Sequence, residues 1–404
     1  MSKAPKLRFK EFSGDWENKK ISEIYSDLKA GSTPSKAVPR YFKGNIPWIT
    51  SGELKTKYIY KTNEYITEEA VKSANLKIYE EGTFFIAITG LEAPGTRGSC
   101  AINKVKATTN QSCLAFQKNS KMKNEFLYYW YLLNGEHIGI KYTQGTKQQS
   151  LNNELVGKLR INMPSIEEQE KIASFFSLID DKISLQGDKV EALKDYKKGI
   201  MQNIFSRELR FKDDDGRDYP EWENIRLSEV LKERKTYSQK NEGLEHVTLS
   251  KDGIYGKGER YNRDFLVVTD DKKYKITRLG DICYNPANLK FGVICRNDYG
   301  DAIFSPIYVT FEVKSEADSE YMGVYLSRWD FINRVRKYEE GTVYERMAVK
   351  PEDFLRFEIN LPTIEEQKKI KGLFNKIDEK VKFEEEKLNR LNEYKKGLLQ
   401  QMFV

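Results

Sequence analysis

The stretch PSIEEQEKI, Pro164–Ile172, returns near the end of the chain as PTIEEQKKI, Pro362–Ile370. The match runs without a gap from about Asn162 to Phe205 against Asn360 to Phe403, and both copies end in the phrase YKKG. A repeat with a period of about 200 residues is too long for a solenoid array. It indicates an internal duplication of one structural plan.

A second, shorter repeat lies upstream of each copy. LRFK at Leu7–Lys10 returns at Leu209–Lys212, and WEN at Trp16–Asn18 returns at Trp222–Asn224. Each half therefore contains a short leader, about 140 variable residues and a near-constant segment. The sequence predicts four segments: 1–160 (leader and first variable module), 161–206 (central constant helix), 207–357 (second variable module) and 358–404 (C-terminal constant helix).

The constant segments carry the signals of long helices. Ser165-x-x-Glu168 and Thr363-x-x-Glu366 are capping boxes, in which a hydroxyl and a carboxylate satisfy free backbone donors at a helix start. From there the apolar residues step by four and three, which is the heptad pattern of a coiled coil. The predicted helix-pair seam comprises Ile172, Phe176, Ile179, Ile183, Val190, Leu193, Ile200, Ile204, Ile370, Phe374, Ile377, Val381, Leu388, Leu391, Leu398 and Met402.

Two polar positions interrupt both seams at equivalent places, Gln186 with Glu384 and Lys197 with Lys395. About 42 residues of helix span roughly 60 Å, more than the width of a small domain, so each helix needs a partner outside its own module. Antiparallel pairing of the two helices would set the shared polar positions against a pseudo-twofold axis. The alternative is an amphipathic helix lying on its own domain, and Gly187 argues against an unbroken first helix.

The variable modules predict mixed α/β structure. Stretches rich in β-branched and aromatic residues and bounded by Gly, Pro and Asn predict strands, and longer apolar stretches predict buried helices. In the first module the predicted strands lie in Gly44–Leu54, Glu81–Gly90 and Asn110–Gln117, and the helix is Asn124–Asn134. In the second module LEHVTLS, LGDICYNP and AIFSPIYVTFEV predict strands, followed by one helix, SEYMGVYLSRWDFINRVRK.

The fold class follows from these patterns. We predict a mixed α/β chain with two globular domains separated by two long antiparallel coiled-coil helices, related by a pseudo-twofold internal repeat. Because the order of elements is shared while the sequence is not, the two domains carry one fold with two different surfaces.

Catalytic signatures are weak throughout. The two histidines, His137 and His246, have no Cys or carboxylate at ligand spacing, and there is no GxxxxGK[ST] phosphate loop. NPAN at Asn285–Asn288 lacks the second Pro and the aromatic residue of the amino-methyltransferase signature. The four widely spaced cysteines suit structural thiols. We expect no catalytic, cofactor or metal site in this chain.

The charge distribution and the hydropathy of the sequence limit which partners and which cellular compartment suit this chain. The net charge is +7. Residues 18–160 carry 21 Lys and Arg against 12 Asp and Glu, or +9, whereas residues 207–357 carry 27 against 29, or −2. A basic first half suits a polyanion, while the second half would have to gather its positive charge on one face. No apolar run of 18 residues and no apolar signal core occur, so we expect a cytoplasmic protein without a membrane partner.

These features together resemble the specificity subunits of type I restriction-modification systems. The resemblance rests on the doubled P[ST]IEEQxKI helices ending in YKKG, on LRFKEFSGDW echoed by LRFKDDDGRDYPEW, on Gly31–Leu54 and on GDICY at Gly280–Tyr284. It implies that each module is a target-recognition domain that reads half of a split, asymmetric double-stranded DNA site. It also implies that the helices act as a ruler and dock two modification subunits, with restriction subunits joining the full complex. S-adenosylmethionine, ATP and Mg would then be bound by those partners, and this chain would be non-catalytic.

Candidate DNA contacts follow from side-chain chemistry. A Gly-Thr turn with long polar residues follows each predicted helix, in Gln144–Leu151 and Glu340–Val349. Gln suits adenine edges, and Arg or Lys suits guanine and phosphate. The predicted DNA-binding residues are Lys36, Arg40, Lys43, Arg97, Gln144, Thr146, Lys147, Gln148, Gln149, Arg260, Arg263, Lys290, Arg334, Arg336, Tyr344 and Arg346.

Two other classes of protein stay open at this stage. A scaffold with two ligand domains on a coiled coil would show no salt-sensitive binding to duplex DNA. A single-chain nuclease or methyltransferase would turn over substrate alone. If DNA is the partner, half-sites on one face of the duplex lie about 34–36 Å apart, a distance that a helix pair of roughly 60 Å can bridge.

Overall fold

A computed structural model describes residues 4–93, 95–142, 149–239, 243–256, 273–338 and 348–404. The chain forms two compact units: unit 1 comprises Met1–Val190 and Glu384–Val404, and unit 2 comprises Glu191–Phe383. Each unit therefore contains the beginning of one long helix and the end of the other. The four segments predicted from the sequence follow the repeat, whereas the units follow spatial contact, so the segment boundaries stay a prediction.

Unit 1 combines short strands with a few helices. The helices are α1 (Ile21–Ile24), α2 (Glu68–Ser73), α3 (Asn124–Tyr142) and α4 (Asn153–Lys158), with 3-10 turns at Pro39–Phe42 and Ser51–Glu53. The strands are β1 (Glu17–Lys20), β2 (Lys29–Ala30), β3 (Ile46–Ile49), β4 (Tyr58–Ile59), β5 (Glu64–Ile66), β6 (Phe84–Ala87), β7 (Cys100–Asn103), β8 (Thr108–Thr109), β9 (Cys113–Phe116) and β10 (Arg160–Met163).

The main sheet of unit 1 has the order β2-β9-β6-β7-β4, and a smaller sheet has the order β5-β3-β8. Strands β3, β6 and β9 lie inside the three stretches predicted as strands, which confirms those predictions. β6 and β9 are buried at every residue, and α3 packs over β6 and β7 of the main sheet. This accounts for their continuous apolar sequence.

Helix α3 is longer than predicted. It continues past the predicted last residue, Asn134, and runs through Gly135 and Gly139. A Cβ on Gly135 would lie 2.8 Å from the Cα of Gly98, and one on Gly139 would lie 3.1 Å from the side chain of Arg97. The two glycines therefore admit the Arg97–Gly98 loop against the helix instead of ending it.

Unit 2 repeats the plan with different strands. The helices are α6 (Leu227–Val230), α7 (Ser319–Leu326), α8 (Trp329–Val335) and α9 (Pro351–Leu355), with 3-10 turns at Leu289–Phe291 and Arg336–Tyr338. The strands are β11 (Glu223–Arg226), β12 (Leu231–Glu233), β13 (Tyr237–Ser238), β14 (Glu245–Ser250), β15 (Gly253–Gly256), β16 (Tyr274–Thr277), β17 (Ile282–Tyr284), β18 (Ile294–Arg296), β19 (Ala302–Phe304), β20 (Val309–Val313) and β21 (Glu358–Leu361).

Two sheets of unit 2 have the orders β12-β20-β17-β18 and β13-β16-β19-β14-β15. The predicted strands LEHVTLS and LGDICYNP contain β14 and β17, and AIFSPIYVTFEV contains both β19 and β20. The single helix predicted after them is wrong, because it is two helices, α7 and α8. Arg328 between them has an extended backbone, and its guanidinium pairs with Asp330 and lies 3.8 Å from the ring of Phe205.

A two-stranded antiparallel ribbon occurs in each unit beside the start of a long helix. In unit 1, β1 pairs with β10 from Glu17 opposite Met163. In unit 2, β11 pairs with β21 in the equivalent register, from Glu223 opposite Leu361. The leader of each half is thereby hydrogen-bonded to the strand that precedes its constant helix.

The constant segments form α5 (Ile166–Phe205) and α10 (Ile364–Met402). Helix α5 continues through Gly187 without a break. The two helices run antiparallel in both units: Asp180 bonds Lys395 in unit 1, and Lys197 bonds Asp378 in unit 2.

The predicted seam residues are all buried or half-buried. Those at the ends of the helices also belong to the apolar cores of the globular parts, Ile172 and Phe176 in unit 1 and Ile370 and Phe374 in unit 2. The buried ones are Ile172, Phe176, Val190, Ile204, Ile370, Phe374, Ile377, Leu398 and Met402, and the half-buried ones are Ile179, Ile183, Leu193, Ile200, Val381, Leu388 and Leu391.

Candidate nucleic-acid interface and its helical support

The repeated nonapeptide forms a joint between a leader and a long helix. The capping boxes predicted from the sequence form only in part. The backbone N–H of Glu168 donates to the Ser165 hydroxyl at 3.3 Å, and that of Glu366 donates to the Thr363 hydroxyl at 3.4 Å.

The carboxylates of these two glutamates bind arginines of the leaders. Arg8 donates from Nε and Nη2 to Glu168, both at 2.7 Å, and Arg210 binds Glu366 in the same bidentate way at 3.3 and 3.0 Å. Both carboxylates are almost completely buried. A charge-assisted bidentate pair is stronger than a bond to a neutral backbone donor, so the distant arginine displaces the local capping contact.

The glutamine of the nonapeptide holds the globular part. In unit 1 the buried Gln169 accepts from the backbone N–H of Lys123, immediately before α3, at 2.9 Å. In unit 2 Gln367 accepts from the backbone N–H of Asp318, immediately before α7, at 2.8 Å. The nonapeptide is thus kept twice because it fixes the angle at which each globular part meets its helix.

The polar interruptions of the seams contact each other as repeat equivalents. Gln186 donates to the Glu384 carboxylate at 2.7 Å, and these two residues occupy the same position in the two repeats. Both are buried, and Lys189 also donates to Glu384 at 2.5 Å. These donors lower the pKa of the Glu384 carboxyl, the Lys189 hydrogen bond most of all and the Gln186 bond next. The other interruptions, Lys197 and Lys395, each bind an aspartate of the opposite helix at 2.5 Å.

Three predicted DNA-binding residues of unit 1 lie around the 3-10 turn Pro39–Phe42. Lys36 and Lys43 are exposed. Arg40 is exposed as well and forms a bidentate pair with Glu69, with distances of 2.8 and 3.2 Å. The Glu69 carboxylate raises the pKa of the Arg40 guanidinium above its ordinary value. A phosphate would therefore compete with Glu69 for Arg40, whereas it could reach either lysine directly.

Arg97 and Gln149 are brought together by the structure. Arg97 is half-buried, and its Nη2 donates to Oε1 of Gln149 at 2.7 Å. Gln149 also donates its backbone N–H to Glu92 and accepts from the backbone of Leu91. This pair anchors the described end of the Gln144–Leu151 turn on the loop after β6.

Three predicted residues of unit 2 are described. Lys290 is half-buried in the turn Leu289–Phe291, with its ammonium 5.3 Å from the ring of Phe291. Arg334 lies 5.0 Å from the ring of Phe357, and Arg336 is exposed at the end of α8. Helix α8 contacts the Leu289–Phe291 turn, so Lys290 and the α8 residues share one region. Gln144, Thr146, Lys147, Gln148, Arg260, Arg263, Tyr344 and Arg346 lie outside the described residues.

A set of exposed apolar residues on the long helices was not among the site residues predicted from the sequence. Leu185 and Phe383 are repeat equivalents and are 70% and 62% exposed. Tyr196 and Tyr394 are also repeat equivalents and are 55% and 60% exposed. A comparison of the two repeats for apolar residues outside the seam would have found them. Apolar side chains that recur at equivalent exposed positions of both repeats are candidate contact positions on the long helices.

Signs of catalysis or metal binding do not emerge in the described ranges. Within them no group of three or more His, Cys, Asp or Glu side chains could hold a metal ion. Burial raises the pKa of the Cys100 and Cys113 thiols to about 12, far from a reactive thiolate. No helix in the described part of the chain is both long and apolar enough to cross a membrane.

Comparison with known proteins gives a consistent result. The chain is 32% identical over 230 residues to the type I restriction enzyme MjaIX specificity subunit of Methanocaldococcus jannaschii, covering 54% of this chain and 52% of that protein. It is 25% identical over 415 residues to the MjaVIII specificity subunit of the same organism, covering 97% and 94%. A crystal structure of the type I restriction-modification S subunit from M. genitalium aligns over 99% of both chains with a TM-score of 0.56 at 16% identity, which supports the fold.

A family model accounts for both repeats. The model of the type I restriction modification DNA specificity domain matches residues 13–195 and again residues 219–393. The two matches leave out residues 1–12, 196–218 and 394–404. The chain therefore belongs to the family of type I restriction modification DNA specificity domains and carries that domain twice.

Proposed function

We propose that this chain is the DNA-reading subunit of a type I restriction-modification complex and that each unit reads one half of a bipartite, asymmetric DNA site. The observation that carries the proposal is the contrast between the joint and the globular parts. The Arg–Glu and glutamine contacts of the joint recur in both units, while the strands and exposed side chains they support differ. Two unlike reading surfaces on one repeated support suit a site with two unlike halves.

This chain would supply recognition and assembly, and its partners would supply the catalysis. Members of the family are DNA-recognition subunits without catalytic activity of their own. Methylation with S-adenosylmethionine would fall to modification subunits, and ATP- and Mg-dependent cleavage would fall to restriction subunits, all in the cytoplasm. The alternative of a scaffold that does not bind DNA gains no support from the relatives.

Two modification subunits would dock on the helix pair. Leu185 with Phe383, and Tyr196 with Tyr394, present the same exposed apolar positions twice. A surface that occurs twice by internal repetition offers two equivalent sites, so it fits a partner that binds in two copies. Exposed aromatic residues are frequent anchors of protein interfaces.

The docking proposal is tested by native mass spectrometry of the chain assembled with its modification subunit. L185D or F383D alone should lower the mass by one modification subunit, and the double variant should lower it by two. L178D is the matched control, because Leu178 is 69% exposed but its repeat equivalent is Lys376. Full assembly by the double variant would refute docking at these positions.

The helix pair would also set the spacer between the half-sites. Removing or adding one heptad in both helices shifts the helix length by roughly 10 Å, about three base pairs of duplex. Methylation mapping across a host genome that expresses the chain with its modification subunit should then show a changed spacer and unchanged half-sites. A bipartite motif in the wild-type map supports the reading role, and an unchanged spacer in the heptad variants would refute the ruler alone.

A further inference from the structure

Unit 2 exposes two aromatic side chains on neighbouring elements. Phe291 is 61% exposed and Trp329 is 59% exposed, and the helix that begins at Trp329 contacts the turn that contains Phe291. The helix pair and the family match give these residues no role. Large aromatic side chains exposed together on a unit rich in charged residues indicate a contact surface.

A glycine holds this aromatic pair in place. Gly292 follows Phe291 with φ +79°, a left-handed conformation that favours glycine. A Cβ built on Gly292 would lie 3.4 Å from two atoms of the Trp329 indole, so the ring rests on the glycine. The backbone N–H of Gly292 donates to the carbonyl of Leu289 at 2.8 Å, and Leu289 is fully buried. The turn beneath the two rings is therefore fixed to the core.

Helix α8 extends the exposed surface away from the aromatic pair. Its residues Phe331, Ile332 and Val335 are buried in the core of unit 2. Trp329 and Asn333 are exposed, four positions apart, and Arg336 follows three positions later in helical conformation. Residues with this spacing share one side of a helix.

Positive charge accompanies these residues. We define the aromatic-basic patch as Lys290, Phe291, Trp329, Asn333 and Arg336. It contains two cations and no carboxylate, in a module whose residues 207–357 carry −2 overall. The nearest acidic residue in the helix, Asp330, is paired with Arg328 at 2.6 and 3.0 Å.

We propose that the aromatic-basic patch is the surface through which unit 2 contacts duplex DNA, with Phe291 and Trp329 packing against bases or sugars. Lys290 and Arg336 contact phosphates, and Asn333 has the donor and acceptor needed to read an adenine edge. Aromatic side chains beside cations recur where proteins meet nucleic acids, because bases and sugars offer apolar faces between charged phosphates. The patch gathers positive charge on one face of the acidic module. This inference rests on the proposed DNA-reading function and names the residues that would perform it in the second unit.

The test uses the full chain assembled with its modification subunit and the duplex found by methylation mapping. F291A and W329A should each weaken binding about tenfold or more without changing the salt dependence, because no phosphate contact is lost. K290Q and R336Q should each lower the slope of log affinity against log salt by about one. N333A should relax one base position in one half-site and leave the other half-site unchanged.

Control variants separate this proposal from its competitors. I307A is the matched control, since Ile307 is 61% exposed in the same unit and lies outside the patch. Its affinity should equal that of the wild type. Wild-type affinity of F291A and W329A would overturn the patch while leaving the reading function intact, whereas a wild-type complex that ignores its mapped site would overturn the function itself. Loss of the modification subunit from either variant would also overturn the proposal, since the patch would then be a protein interface. Both substituted side chains are largely exposed, so thermal unfolding of the variants should match the wild type.

Discussion

Units 1 and 2 build the same joint from differently connected chain. In unit 2 the backbone N–H of Leu209 donates to the carbonyl of Asn203 at 2.9 Å, across six residues of continuous chain. In unit 1 the equivalent bond joins Leu7 to Gln401 at 3.0 Å, between segments almost 400 residues apart in sequence. The same geometry forms with and without a covalent connection. Packing and hydrogen bonding therefore determine the joint, and the connectivity of the chain does not.

The two joints differ in one buried contact. In unit 2 the indole Nε1 of Trp222 donates to Glu366 at 3.0 Å, beside the bonds from Arg210. In unit 1 the indole Nε1 of the equivalent Trp16 is buried without a partner, and its ring packs edge-to-face against Phe403 and Phe126. Unit 2 thus joins leader and helix by more polar bonds, and unit 1 relies more on aromatic packing.

Removal of the joint carboxylates should give the largest effects. E366A removes the buried carboxylate to which both Arg210 and the indole of Trp222 donate, leaving Arg210 with Glu221 and two backbone carbonyls. Breaking a buried pair costs about 3–5 kcal/mol of unfolding free energy. E168A removes the carboxylate partner of Arg8 alone, and Arg8 keeps its bonds to the Gly14 and Ser13 carbonyls, so the cost of E168A should be about 1 kcal/mol smaller. Because a chain of two units need not unfold in one step, hydrogen exchange resolved by unit is the appropriate measurement. E365A, an exposed neighbour in the same turn, is the control, and equal losses for E366A and E168A would contradict the asymmetry of the joints.

Replacing the last phenylalanine of each repeat by alanine tests how much aromatic packing stabilises each unit. Phe403 is buried against Trp16, Phe126 and Phe176, so F403A should destabilise unit 1 by about 3 kcal/mol. The equivalent F205A should cost unit 2 less, because Phe205 is only half-buried although it stacks on Phe374. Denaturant unfolding followed by protection of each unit measures both values. V404A should have almost no effect, and a larger loss for F205A than for F403A would reverse our interpretation of unit 1.

The sequence predicted the elements better than their contacts. The repeat, the seams and several strands were readable because periodicity and β-branched composition are local signals. In each predicted capping box the hydroxyl contact forms, but the glutamate carboxylate binds an arginine instead of the helix start. A local pattern could not show this, because Arg8 and Arg210 lie about 160 residues from their glutamates. The duplication itself contained the missing signal, since the arginine of LRFK and the glutamate of IEEQ are repeated together.

The aromatic-basic patch was harder to predict from the sequence. The positive charge of Lys290 and Arg336 is sufficient to predict that they bind DNA. Phe291 and Trp329 carry large apolar side chains, which a sequence pattern assigns to a core. Trp329 begins α8 directly after the break at Arg328, where neither glycine nor proline marks the boundary, and Phe291 lies in the separate turn Leu289–Phe291. At that break Arg328 stacks on Phe205, a contact between distant segments that a local sequence pattern does not show.

Gln186 and Glu384 occupy the same position in the two repeats, so substitution can exchange their side chains between the two long helices. Q186E places two carboxylates in contact and should lower the melting temperature clearly, whereas E384Q should lower it less, because only the Lys189 bond is lost. The double variant Q186E/E384Q should recover most of the loss, since Lys387 is the repeat equivalent of Lys189 and can bind the relocated carboxylate. Thermal melts of the three variants measure this. A double variant no more stable than Q186E would show that the two sides of the pair are not equivalent.

As the pH falls, the stability contributed by this pair should change in opposite directions in the wild type and in Q186E. In the wild type the pKa of Glu384 is lowered in the folded state, so its stabilising contribution is present above the ordinary carboxyl pKa. That contribution is lost as the pH falls through the lowered folded-state value. In Q186E the repulsion between carboxylates is relieved by protonation, so the gap to the wild type should narrow at acidic pH. A gap that is constant with pH would attribute the loss in Q186E to packing.

The smallest expected effect distinguishes the two long helices themselves. Gly187 in α5 has no heavy atom within 4 Å of a built Cβ, and its repeat equivalent in α10 is Glu385. G187A should stabilise unit 1 by about 1 kcal/mol, because alanine loses less backbone entropy than glycine in a helix. E385A, in the part of α10 that belongs to unit 1, should change the stability of that unit much less, since both residues are good helix formers. A destabilising G187A, seen as lower exchange protection around α5, would mean that the helix needs its glycine for bending or for close approach of a partner. Glycine at that position would then be a functional difference between the two repeats, in addition to the different surfaces they support.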